Sequence, residues 1–161
     1  MTALCPSFVF GPLMDITASS SSSVSSSYSI TLVDQWIRGV SPVQSRLFVD
    51  VRDVARAHVM AANNNAAFGQ RIIVSTEARI SSQKIAQWIK DEIHRYNLPI
   101  DIVDPNQVHY DATFQGGSIP IGTKEVDATD ALQCILGITL RPVQDTIVDM
   151  TRILLSKSKS K

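Results

Sequence analysis

Two aspartates and a histidine fall within one short run, RLFVDVRDVARAHVMAA (46–62): Asp50, Asp53 and His58. A carboxylate beside an imidazole is a natural pair for moving a proton near neutral pH. Asp53 and His58, however, are five residues apart, and on a helix the residues that share a face are three or four apart. The spacing therefore gives no acid–base couple, and no catalytic residue is assigned here. His94 and His109 have no Cys or His at metal-ligand spacing, so no metal site is expected. Cys5 and Cys134 are too few and too isolated for a disulfide framework or a zinc site, which leaves free thiols in a reducing compartment.

The elements around these residues follow from pattern. Leu47, Phe48, Val49 and Val51 suit a strand, and Asp50 or Asp53 can cap the helix after it, accepting bonds from its free N–H groups. Val54, Ala55, His58, Val59 and Ala62 then form the expected inner face, and Asn63–Asn65 end the run. Upstream, TALCPSFVF (2–10) reads as one buried strand closed by Gly11-Pro12. The serine tract at 19–29 cannot pack a core and reads as a surface loop. Residues 30–40 have helix-like apolar spacing, weakened by Gly39. QRIIVS (70–75) is a strand, and Ser81 or Ser82 caps a helix over 82–96 that turns Ile85, Trp88, Ile89 and Ile93 inward. A short strand is expected at 100–104 and irregular chain at 105–126. Asp127 caps a helix that stops at Gly137, and Pro142 takes the first position of the last helix. Strands alternating with helices indicate an α/β chain with a parallel or mixed sheet.

Composition sets limits on partners. The 161 residues are 44% hydrophobic and 19% charged, an ordinary globular balance. Fifteen basic and fifteen acidic residues cancel, which removes a global electrostatic case for nucleic acid or an anionic membrane. No apolar run is long enough to span a bilayer, and the start lacks the basic and apolar regions of a signal peptide. A cytoplasmic location is the expectation.

Six stretches in order, PSFVFGP, FVDVRDVARAHVMA, GQRIIVSTEARISSQKIAQWI, IPIG, VDATDALQCILGI and RPVQDTIVDM, resemble the carboxyl-terminal part of the extended short-chain dehydrogenase/reductases, the NAD-dependent epimerase/dehydratase superfamily. Within it they are nearest the fungal NADPH-dependent aldehyde and methylglyoxal reductases and the dihydroflavonol reductase-like proteins. The resemblance implies an α/β fold that is the back portion of a Rossmann-like enzyme. Residues 1–12 would be its last Rossmann strand and turn, 13–29 a Ser-rich flexible loop, 30–155 a substrate-domain-like α/β remainder, and 156–161 a frayed tail.

The same resemblance implies what is missing. The family holds the cofactor pyrophosphate on a Gly-rich turn at a helix N-terminus, and no G-x-G-x-x-G or G-x-x-G-x-x-G occurs here. Its catalytic acid is a Tyr with a Lys four residues on. Here Tyr28, Tyr96 and Tyr110 are followed at that distance by Leu32, Ile100 and Phe114. Met1 falls just before the strand that follows the catalytic helix in the family. By resemblance, Pro6, Val9, Phe10, Gly11, Pro12 and Ser27 would line the NADP nicotinamide site, and 108–122 the substrate lid. The expected function is a truncated NADPH-dependent reductase of small carbonyl compounds, inactive alone. A non-catalytic module pairing with a full-length reductase and a nonfunctional gene fragment are the alternatives. Without neighbouring strands, residues 1–30 are expected to pack loosely and residues from 46 onward to carry the order.

Overall fold

The first segment divides at Ser7. The computed structural model of the chain describes residues 1–12, 27–38, 45–95 and 129–158. The apolar run 2–10 forms two strands rather than one, β1 (Ala3–Pro6) and β2 (Phe8–Phe10), parted at Ser7. Each takes its own parallel partner. β1 runs beside β5 (Arg71–Val74), with Leu4 opposite Ile72, while β2 runs beside β4 (Phe48–Asp50), with Phe10 opposite Asp50. Two consecutive bonds mark the change of partner: the Ser7 amide donates to the Val74 carbonyl at 3.2 Å and the Phe8 amide to the Leu47 carbonyl at 3.3 Å. Pro6, which has no N–H to give, stands at the break. A third pair, β3 (Ser45–Arg46) and β6 (Ile80–Ser81), is antiparallel.

Five α-helices and a short 3-10 helix (Asn65–Ala67) complete the described fold: α1 (Tyr28–Ile37), α2 (Val51–Ala62), α3 (Ser82–Arg95), α4 (Thr129–Leu136) and α5 (Val143–Ser158). Asp50 is the cap of α2, in extended conformation, its carboxylate accepting the Arg52 amide at 2.7 Å. Ser81 caps α3 by accepting the Lys84 amide at 3.2 Å. Gly137 ends α4 with φ at +63°, where its amide and that of Ile138 close back on Gln133 and Leu132. That left-handed turn is the reason for a glycine there.

The alternation of β2 and β4 separates two cores. Phe8, Phe10 and Phe48 face α1, α3 and α5, where Trp36, Ile89 and Ile147 are buried with them. Val9 and Val49 face the other way, among Ala57, Ile72, Val74, Leu132 and Leu136. Phe10 packs at 4.9 Å from Phe48 and 5.9 Å from Trp36, centroid to centroid. Phe10 is thereby held in the core, while the rest of β1 and β2 is half-buried or exposed.

Other expectations shift as well. α1 begins at Tyr28, inside the serine-rich span, and Val51 opens a helix rather than closing a strand. α5 continues through Ser158, into the tail expected to fray. Pro142 directly precedes α5, its carbonyl accepting the Asp145 amide at 3.0 Å. The largest correction concerns α2. It buries Asp53 and Ala57, while Ala55, His58, Val59 and Ala62 of the expected inner face are exposed. The cause is polar: the Asp53 carboxylate accepts the Arg141 amide at 2.7 Å, which turns that position inward. One residue of offset on a helix is about 100° of rotation. The strand expected at 100–104, the irregular stretch with its lid at 108–122, the Asp127 cap and most of the serine tract lie outside the described residues.

Candidate functional site

Because β2 and β4 are parallel and in register at Phe10 and Asp50, their carboxyl ends emerge together. In open α/β sheets that end of the strands is where ligands bind. Here it presents the Gly11-Pro12 turn against the first turn of α2. The approach is close enough to require glycine: a Cβ on Gly11 would lie 2.3 Å from Val51 Cγ1. The Gly11 amide donates to the Met150 sulfur of α5 at 3.1 Å.

Asp50, at the floor of this junction, is almost fully buried and fully engaged. One carboxylate oxygen accepts the Arg52 amide and Nε; the other accepts Arg52 Nη2 at 2.6 Å and the Thr146 hydroxyl at 2.7 Å. Burial pushes its pKa up, but the bonds from Arg52 and Thr146 and the guanidinium charge outweigh that and hold the group below the ordinary Asp value. Arg52 is held further into its charged range, chiefly by the bond to Asp50, and also reaches Asp149 at 2.8 Å. A carboxylate with every lone pair taken is a brace and offers nothing to a substrate proton.

The residues expected to line a nicotinamide site are distributed as follows. Pro6 is exposed at the end of β1, and Val9 is half-buried against the second core. Phe10 is only 1% exposed, so its ring is spent on the interior. Gly11 and Pro12 form the half-exposed turn itself. Ser27 is the extended residue before α1; its hydroxyl lies 3.2 Å from that of Ser29 and makes no capping bond. The next residue, Tyr28, stacks on Phe8 at 5.5 Å, which sets the start of α1 beside β2. None of these residues is a cation, and the turn's one glycine amide is committed to Met150. The set does not fit a pyrophosphate, which needs free N–H groups or cations.

The other candidate residues stand apart. His58 is exposed, its Nδ1 2.8 Å from the Val54 carbonyl of its own helix, while Asp53 points inward to Arg141. Cys5 and Cys134 are free thiols. Among the described residues no three His, Cys, Asp or Glu side chains are grouped to hold a metal, and no helix is long and apolar enough to cross a membrane. The polar braces, Asp50–Arg52–Asp149 and Glu92–Arg152 at 2.6 Å, escaped sequence reasoning. Glu92 carried a signal: a carboxylate between Ile89 and Ile93 on an inner face demands a buried cation partner.

No protein-family model matches the chain. It is 32% identical over 103 residues to the NADPH-dependent methylglyoxal reductase Gre2 of Saccharomyces cerevisiae, a match covering 62% of this chain and 30% of that protein. The crystal structure of the yeast methylglyoxal/isovaleraldehyde reductase Gre2 complexed with NADPH is similar at 26% identity and a TM-score of 0.62, over 98% of this chain and 44% of that one. A UDP-glucose 4-epimerase of Thermotoga maritima shares the fold at 15% identity, with a TM-score of 0.58, over 96% of this chain and 46% of its own. The chain spans about a third of the length of the curated relative and less than half of either solved structure.

Proposed function

The chain is a partial-length relative of the extended short-chain dehydrogenase/reductases, and from that premise we propose that it is a reductase-like portion that does not transfer hydride unaided. In this reading Pro6, Val9, Gly11 and Pro12, with Phe10 behind them and Ser27 at the start of α1, form one wall of the nicotinamide site. NADPH would supply the hydride and a small aldehyde or ketone would accept it. The observation that carries the reading is the similarity to a methylglyoxal reductase over most of this chain and only a third of that enzyme. The two free cysteines speak for a cytoplasmic location.

The chemistry explains why this wall is insufficient. Carbonyl reduction needs a proton donor placed at the developing alkoxide. No tyrosine of this sequence has a lysine four residues on, and the exposed His58 bonds to its own helix. Phosphate contacts carry much of a dinucleotide's affinity, and the turn offers none. We expect no saturable NADPH binding to the purified chain below the millimolar range, about −4 kcal/mol. NADPH oxidation with methylglyoxal should equal the protein-free blank. Titration by tryptophan fluorescence and a turnover assay check both. Micromolar saturation, or turnover that survives repurification and disappears in His58→Ala, would overturn the reading.

A further inference from the structure

We draw no further inference here: the strongest candidate, the charged groove of about 330 Å³ between α3 and α5, carries nothing because its buried carboxylate, Glu92, is already paired with Arg152 and Arg95, and nothing in the structure points to a ligand for the exposed Asp91 and Asp145 that also line it.

Discussion

On one side of the β2–β4 pair, α1, α3 and α5 bury Phe10, Trp36, Ile85, Ile89, Ile93 and Ile147 to 2% exposure or less. On the other side α2 buries an aspartate and an alanine, and leaves Val59 mostly in solvent. The helices differ in their apolar residues: α1, α3 and α5 carry Ile, Leu or Trp, whereas α2 carries only Val, Ala and Met. They differ also in where the polar anchors sit. In α3 the buried carboxylate Glu92 stands beside the apolar face and is paired with Arg152, leaving that face free to pack. In α2 the anchor Asp53 competes with the apolar face for the inward direction and wins, because the Arg141 amide it accepts belongs to the segment joining α4 to α5.

If the first layer is the one that holds the fold, its substitutions should dominate. Phe10→Ala removes a ring packed against Phe48 and Trp36 and should cost about 3–5 kcal/mol, read as a fall in the urea midpoint with unchanged slope. A loss under 1 kcal/mol would mean that the β2 layer is no more tightly held than α2. Next comes the brace between the layers. Asp50→Ala strips the cap from α2, leaves the Thr146 hydroxyl without its acceptor and leaves Arg52 only Asp149, at about 3 kcal/mol. Asp50 has a folded pKa below its unfolded value, so its contribution is complete above the unfolded value of about 4 and is lost as pH falls through the folded one. The stability gap between the wild type and Asp50→Asn should therefore narrow as the pH drops below about 4, and a gap independent of pH would remove Asp50 from that role.

Gly11→Ala tests whether the turn is shaped by packing. The added methyl meets Val51 and should cost about 1–3 kcal/mol. Val51→Ala removes the nearest of the atoms it meets, so the double variant should recover part of that loss. Additive losses would break the account of Gly11 as a packing residue and return it to a ligand-facing role.

Much of the fold was legible because the relevant signals are local. The cap of α2, narrowed to Asp50 or Asp53, the cap of α3, narrowed to Ser81 or Ser82, and the Gly137 stop each depend on one residue and its neighbours within a turn; the structure takes Asp50 and Ser81. The inward Ile85, Ile89 and Ile93 repeat every four residues, and the structure buries all three. The division of 2–10 at Ser7 was not legible, because the two partners are contributed by strands about 40 and 70 residues away. The rotation of α2 was hidden for the same reason, since it is set by the amide of Arg141. The wall residues of the candidate site could be placed only by resemblance, and their depths, with Phe10 buried and Pro6 exposed, emerge only when two strands end together.

The finest distinction between the layers lies at Val59. In the chain by itself this side chain keeps most of its surface in water, so replacing it removes little buried area, and Val and Ser have similar helix propensities. Val59→Ser should therefore change stability by no more than about 0.5 kcal/mol, the range of ordinary surface substitutions, and should raise solubility by breaking an apolar stripe. Ile89→Ser, the matched change in a helix of the closed layer, should cost several times more, about 3 kcal/mol, because a methyl-rich cavity and an unpaired hydroxyl are created together. Thermal unfolding of the two variants side by side reads the contrast directly. Equal losses would place Val59 under cover within this chain, and α2 would then belong to a layer as complete as that of α3.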